Sequence, residues 1–349
     1  MYPRLYIDAR SLKANPVGVA RYVTEMVYEL SNLGYKITLI SNKEIILPEK
    51  IKKESIDVNV YDKFSKIPGT IFVSILLSFI LPRNAIFLGF CHCIPFFRIK
   101  SILFVHDIVA YRYPETMTLL NKWMNRFSFT FSLKRAKKII TVSEFTKNEI
   151  VDFFSLEPKA IMVARNSIDI GLFKNNTSPR DSFILAVGSI EPRKNINSLV
   201  KAFFTLIEKD NYIGDLLIVG PSGWLMHDFF KEVQSSPYSN RVKFTGFVRD
   251  TELSLLYNSC ELFVFPSIYE GFGIPPLEAL SCGAKVICTS QSEIPNMGLE
   301  DITFFDPAID DLYSLIKETL VSEKEICNFK YNDSWAKNAD IISSEIKKI

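Results

Sequence analysis

Cysteine is sparse and unpatterned. Cys91, Cys93, Cys260, Cys282, Cys288 and Cys327 are scattered, mostly within apolar runs. That excludes a disulfide framework and fits the reducing cytoplasm. Cys91-His92-Cys93 has the look of metal ligands, yet no second Cys/His pair follows at a ligand spacing, so the triplet reads as structural. No apolar run is long enough to cross a bilayer. The most apolar, residues 71–81, holds Ser74 and Ser78 and is closed by Pro82, whereas a spanning helix takes about 20 residues. No signal peptide is expected, because Met1-Tyr2-Pro3-Arg4 leads straight into the strand-like Leu5-Tyr6-Ile7. Internal repeats and low-complexity tracts are absent from the sequence.

What is there describes an ordinary globular protein of more than one domain: 349 residues, 48% of them hydrophobic and 23% charged. The 28 Phe and 14 Tyr predict aromatic-rich cores. The net charge of +2 conceals a division of sign. Residues 1–172 carry 24 Lys+Arg against 15 Asp+Glu, and the remainder 17 against 24, so the halves stand at +9 and −7. The first half is therefore expected to meet something anionic: a membrane surface, a lipid phosphate or nucleic acid.

Strand-like runs alternate with helix-like ones throughout, the pattern of parallel α/β sheets. In the first half, strands are expected at 5–8, 35–40, 85–88, 101–105 and 138–142, with a helix from about 19 to 33 stopped by Gly34. In the second, they are expected at 183–187, 216–219, 242–245, 262–265 and 285–289. Ile196, Leu199, Val200 and Phe203 share one helical face. Asp250 or Thr251 is the expected cap of the next helix, and Pro275 fits the first turn of another that stops before Gly283. The residues predict two doubly wound domains, 1–172 and 173–330, joined by a polar linker at 169–182. Residues 331–349 form a last helix, expected to pack back toward the N-terminal domain. Ligands of such sheets sit at the carboxyl ends of the strands, and a cleft is expected where two such domains meet.

The strongest motif is Glu270-Gly271-Phe272-Gly273-Ile274-Pro275-Pro276-Leu277-Glu278, between a strand and a helix. Its glycines let the backbone approach a ligand, and the helix start favours an anion such as a diphosphate. Glu270 and Glu278 suit hydroxyl groups of a sugar or ribose. Arg193 and Lys194 follow a strand end, where adjacent cations can hold a diphosphate. His106-Asp107 also ends a strand, whereas His227 has no such setting and reads as surface. Residues 123–138 interleave aromatics with Lys134, Arg135, Lys137 and Lys138, as interfacial helices do, or form a core-facing helix with a solvated end. Residues 71–81 read as a buried helix, or as lining for an acceptor.

The string from Glu270 to Glu278 resembles the Glu-x7-Glu motif of the retaining nucleotide-sugar glycosyltransferases of family four. It is flanked, as there, by Phe265-Pro266-Ser267 and by Glu278-Ala279-Leu280-Ser281-Cys282-Gly283. Val187-Gly188-Ser189-Ile190-Glu191-Pro192-Arg193-Lys194-Asn195 is similar to the family's donor-phosphate loop, and Phe104-Val105-His106-Asp107 to an N-domain element. Gly18-Val19-Ala20-Arg21-Tyr22 looks like its N-terminal glycine loop, with Val17 where a second glycine often stands. Asn166-Ser167-Ile168-Asp169 resembles Asn-Gly-Val-Asp, with serine for glycine.

The resemblance implies the GT-B fold of two Rossmann-like doubly wound domains facing across a cleft, 1–172 on the acceptor side and 173–330 binding the nucleotide sugar, and transfer of a hexose with retention. It implies catalytic roles for His106, Arg193, Lys194 and Glu270, and donor binding by Gly18, Ser189, Gly271, Phe272, Gly273, Ile274 and Glu278. No cofactor and no obligatory metal are implied, in keeping with the lack of an Asp-x-Asp motif at a strand end. The loop around Arg193 resembles that of bacterial mannosyltransferases of O-antigen or capsular synthesis. GDP-mannose is thus the expected donor, ahead of UDP- or dTDP-hexoses, and a polyprenyl-diphosphate-linked glycan the expected acceptor. The protein is expected to be cytoplasmic, peripheral at the inner face of the cytoplasmic membrane on an anionic surface, with no nucleic-acid partner. A sugar-nucleotide epimerase of the same fold and a non-catalytic partner subunit are the alternatives. The second should have lost Arg193, Lys194 or a motif glutamate, and the sequence keeps all of them.

Overall fold

The computed structural model of the chain describes residues 2–51, 56–114, 119–177, 179–223, 227–322, 329 and 331–349. Cys327 and Ser178 lie outside the described residues. The chain divides into two compact units, one of residues 1–167 with 333–349 and one of residues 168–332. By sequence, the first holds 27 Lys+Arg against 17 Asp+Glu and the second 14 against 22, a contrast of +10 with −8.

In the first unit seven strands pair in the order β3-β2-β1-β4-β5-β6-β7. They are β1 (Leu5–Asp8), β2 (Ile37–Ser41), β3 (Ile56–Val60), β4 (Ile86–Gly89), β5 (Lys100–Val105), β6 (Lys138–Thr141) and β7 (Ile161–Val163). Every pairing is parallel, and Leu5 of β1 lies between Ile37 and Ile86. A parallel sheet covered on both faces needs apolar side chains on both, and all of β2 and β4 are buried. The helix Val19–Asn32 turns Ala20, Val23, Val27 and Leu30 inward at helical spacing and ends before Gly34, whose φ of 90° suits glycine. The helix Trp335–Ile346 packs against it. Tyr35 Oη and Ser343 Oγ lie 2.8 Å apart, Lys138 Nζ pairs with Glu345 at 2.9 Å, and the Trp335 ring stands edge-on to Tyr22.

The second unit repeats the plan with six parallel strands in the order β10-β9-β8-β11-β12-β13. These are β8 (Asp181–Val187), β9 (Asp215–Val219), β10 (Val242–Gly246), β11 (Cys260–Phe265), β12 (Lys285–Thr289) and β13 (Ile302–Phe305). Ile184, Ala186, Leu216, Ile218, Leu262 and Val264 meet Leu199, Val200, Phe203 and Leu206 of the helix Ile196–Asp210 in one core. Burying each larger side chain is worth about 1.5–3 kcal/mol. In both units strand order reverses beside the first strand, between β1 and β4 and between β8 and β11. Such a reversal opens a crevice at the carboxyl ends, where ligands of open α/β sheets bind.

Several expectations are corrected. The first boundary falls at 167/168 rather than 172/173, because Leu172 and Phe173 pack on the second unit. Leu172 O accepts from Ser254 Oγ at 2.8 Å, and Phe173 stands edge-on to Tyr257. The second falls at 332/333 rather than 330/331. Residues 169–182 are no free linker: Arg180 donates to Tyr257 O at 2.6 Å and to Cys282 O at 2.9 Å, and β8 begins at Asp181. The helix Asp250–Ser259 is capped at Arg249, whose N–H donates to Glu252 Oε2 at 3.0 Å. Ser167 needs no glycine, since it has no positive φ and its Oγ donates to Asp333 O at 2.8 Å. Residues 71–81 are only half buried, as described below.

Candidate active site

In the second unit the side chains at the end of β8 and those after β11 form one charged cluster. Pro192–Lys194 make a single 3-10 turn that ends at Asn195, in the left-handed region, before the helix Ile196–Asp210. This turn aims Arg193 and Lys194 at the segment following β11. Arg193 donates to Tyr269 O and to Glu191 Oε1, both at 2.9 Å, and its guanidinium lies 2.9 Å from Glu270 Oε1. Lys194 Nζ donates to the same Glu270 oxygen at 2.5 Å and stands over the Phe265 ring. The Ile268 N–H donates to Arg193 O at 2.8 Å, tying the two strand ends together. β8 can lie so close to β9 there because Gly220 has no Cβ: one would sit 2.0 Å from Gly188 O.

These side chains are nearly out of water, with Arg193 17% and Glu270 13% exposed. Burial alone would push the Glu270 carboxyl up, but Arg193 and Lys194 outweigh it and hold the group down at about 2. Burial, with Arg193 alongside, draws the Lys194 amine below its usual value against the pull of Glu270.

The glycine-rich turn leads into the helix Ile274–Ser281 through Gly273, at φ 102° and ψ 65°. A side chain there would be strained and would press on Ile294. Pro275 and Pro276 remove two N–H groups from the helix start. The N–H groups of Phe272, Gly273 and Ile274 remain, and none has an acceptor among the described residues. The N–H of Ser189 is likewise unmatched among them. Glu278 lies in this helix only 2% exposed and accepts from Tyr257 Oη at 3.2 Å.

In the first unit, His106 follows β5 and is buried. Its Nε2 lies 3.0 Å from Phe90 O, its own N–H donates to His92 Nε2 at 2.9 Å, and the Tyr22 ring packs on it. Burial first, and His92 next, pull its pKa down to about 3, so the imidazole is neutral at pH 7. Gly18 caps the helix Val19–Asn32 at φ 54°, with open space where a Cβ would stand. A cavity of about 350 Å³ opens beside these strand ends, lined among others by Ser11, His92, Asp107, Asn125 and Phe129.

Sequence reading missed two residues here. Asp8, at the end of β1, is buried and holds Arg10 through two hydrogen bonds of 2.8 and 2.7 Å. His92 belongs to the triplet read as structural, yet it lines the cavity. Its φ of 59°, unusual for a residue other than glycine, is a structural signal that sequence does not carry. A second hollow of about 230 Å³, beside Lys285 and Thr303 of the second unit, lies at the opening of β12 and β13, opposite the Arg193 end. His227 is exposed, and among the described residues no three His, Cys, Asp or Glu side chains are grouped to hold a metal ion.

A third feature is an apolar surface on the first unit. The segment from Gly69 to Ile80 is helical with a π-helical middle, and Ser74 Oγ and Ser128 Oγ, 3.0 Å apart, join it to the helix Leu119–Arg135. Phe72, Val73 and Leu77 face the core, but Ile71, Ile75 and Phe79, four apart, are exposed. Trp123 and Phe127 are 69% and 68% exposed. Ring contacts run from Phe79 to Phe97 and from Phe97 through Phe96 to Phe127, with the Arg98 guanidinium over Phe79. The basic run is less free than its sequence implies: Arg135 donates to Phe96 O at 3.2 Å and Lys138 pairs with Glu345.

Residues 168–340 match the family Glycosyl transferases group 1, and residues 16–172 match Glycosyltransferase Family 4. The chain belongs to the group 1 glycosyltransferases. It is 29% identical to O-antigen chain mannosyltransferase B of Escherichia coli over 209 residues, 57% of this chain and 55% of that protein. To O-antigen chain mannosyltransferase RfbU of Salmonella typhimurium it is 35% identical over 205 residues, 58% of this chain and 55% of that one. The chain thus spans about half the length of these curated relatives. HepE of Anabaena, solved in complex with UDP-glucose, superposes with a TM-score of 0.69 at 17% identity, over 98% of this chain and 94% of that one. That likeness gives the fold: two parallel α/β domains of GT-B type.

Proposed function

We propose that this protein transfers a hexose, mannose from GDP-mannose, to a polyprenyl-diphosphate-linked glycan in bacterial O-antigen synthesis, with retention of configuration. The cluster of Arg193, Lys194 and Glu270 beside the unmatched N–H groups of Phe272, Gly273 and Ile274 carries this reading. Two cations and a row of N–H donors at one switch point are the groups a diphosphate needs. The names of the mannosyltransferase relatives support the sugar and the pathway.

In this mechanism the diphosphate binds against Arg193, Lys194, Ser189 and the turn Gly271–Ile274, and Glu270 and Glu278 hold hydroxyl groups of the donor. The resemblance assigns Gly18 to donor binding and neutral His106 to a contact with the transferred sugar or acceptor rather than to proton transfer. The acceptor oxygen bonds to the anomeric carbon on the face the phosphate oxygen leaves. The acceptor proton passes to that oxygen. The developing charge falls on the two cations, which supply what a metal supplies elsewhere. The enzyme therefore works without an obligatory metal. The test is a donor screen by slow hydrolysis and transfer, with product anomericity read by NMR. An inverted product, or indifference to every nucleotide sugar, would overturn the reading.

The apolar surface around Phe79, Trp123 and Phe127, on a unit with excess positive charge, seats the protein on the anionic inner face of the cytoplasmic membrane. Vesicle co-sedimentation across a salt series tests this. Anionic vesicles should retain the protein at low salt, and Phe79→Ser with Trp123→Ser and Phe127→Ser should remove whatever binding survives high salt. A wild-type protein that ignores anionic vesicles at low salt refutes it.

A further inference from the structure

The charged cluster of the second unit holds one carboxylate to which the mechanism gives no task. Glu191 stands just before the turn Pro192–Lys194, in extended backbone, and is only 5% exposed. The loop after β9 lies directly on it. The Gly223 N–H donates to Ile190 O at 3.0 Å, and a Cβ on Gly223 would come within 3.1 Å of the Glu191 Cβ. Glu191 Oε1 accepts from Arg193 at 2.9 Å, and its charge also acts on Lys194.

Holding Arg193 in place does not by itself call for a carboxylate. Tyr269 O and Glu270 Oε1 already meet the guanidinium at 2.9 Å each, and a neutral acceptor could fill the place of Glu191. A buried ion pair seldom stabilises a fold more than an apolar pair of the same volume would. What Glu191 supplies is charge. Arg193 and Lys194 bring two positive charges, Glu270 and Glu191 two negative ones, so the four side chains sum to zero. Without Glu191 they would stand at +1, in surroundings nearly out of water where charges act strongly. That difference matters most after transfer. The product diphosphate has a free terminal phosphate that the sugar of the donor had masked, so it is the more anionic of the two. A site with surplus cations would hold it longest and slow its release.

We propose that Glu191 is a positioning residue that cancels part of the charge of Arg193, so that the site grips the diphosphate product loosely enough to let it go. The proposal rests on the reading of this cluster as the diphosphate site, and adds that Glu191 keeps that site neutral.

Titration calorimetry of the whole chain with GDP and with UDP tests it, for the wild type, Glu191→Gln and Glu191→Ala. Both variants remove the charge: Gln keeps an acceptor for Arg193, and with Ala the guanidinium still has Tyr269 O and Glu270. Each should bind the nucleotide roughly 10-fold more tightly, with slower dissociation in stopped-flow displacement and a steeper fall with salt. GDP-mannose and UDP-glucose, being less anionic, should gain less. Glu191→Asp, which keeps the charge, should bring the affinity back toward that of the wild type. Nucleotide binding that is unchanged or weaker in both charge-removing variants overturns the proposal, and is what a purely structural role would give. An equal gain for diphosphate and sugar nucleotide overturns it too. Transfer is assayed separately. Tighter nucleotide binding with no transfer from any nucleotide sugar sinks the transfer reading and leaves the role of Glu191 standing. Transfer without tightening does the reverse, and a wild type that binds neither nucleotide sinks both.

Discussion

Glu270 is the hinge of the charged cluster, and Glu270→Gln isolates its contribution with little change of shape. The carboxyl titrates at about 2 in the folded chain against a reference of 4.5. At about 1.4 kcal/mol per tenfold, that gap is worth about 3 kcal/mol of stability at neutral pH. Breaking a buried pair by removing one partner gives a similar figure, about 3–5 kcal/mol, because Lys194 would keep an uncompensated charge. The sign follows from a depressed folded value: the stabilisation is complete above 4.5 and is lost as pH falls through about 2. By pH 3 about 1.4 kcal/mol of it should remain. Urea unfolding followed by circular dichroism, for both proteins at pH 7 and pH 3, measures the difference directly. Equal stabilities at pH 7, or a gap that does not narrow at pH 3, would refute the assignment of Glu270 as the ionised partner of both cations.

Arg193→Ala or Lys194→Ala should lower kcat about 10²- to 10³-fold at saturating donor, since the lost charge acts on the departing diphosphate. Unchanged turnover in either variant sinks that role, and a strict divalent-metal requirement in chelator-treated enzyme sinks the metal-free mechanism. Tyr257→Phe leaves the buried Glu278 without its 3.2 Å hydrogen bond and should cost about 1.5–3 kcal/mol, read by calorimetry. An unshifted Tm would mean that the carboxylate is held by other groups.

The sheets were legible where strands are apolar on both faces, as 183–187 and 262–265 are. β3, β7 and β13 were missed. β3 exposes four of its five residues, Ile56 alone being buried, and β7 is only three residues long, so neither displays a buried run. Glu270, Arg193 and Lys194 were found because glycines, prolines and charges mark their turns locally, and the fold brings all three together. Asp8 and His92 were not, because what marks them is tertiary: the burial of Asp8 at a strand end and the His106 N–H that meets His92. Arg10 looks like any basic loop residue until its guanidinium meets Asp8 and the Cys93 sulfur. The exposure of Ile71, Ile75 and Phe79 was equally hidden, since an apolar stripe predicts burial and only the tertiary fold shows that this one is left largely uncovered.

The return of residues 333–349 to the first unit fixes an order of events on the ribosome. Residues 1–167 emerge first, but the segment that supplies Trp335, Ser343 and Glu345 to Tyr22, Tyr35 and Lys138 is synthesised only after the whole second unit. The unit begun first is therefore the last to be finished. Contacts such as Tyr35 with Ser343, separated by 308 residues, make its closure the slow, high-contact-order step. Until then the face of the helix Val19–Asn32 that takes the tail is uncovered on the nascent chain, while the second unit, contiguous in sequence, can already complete its core.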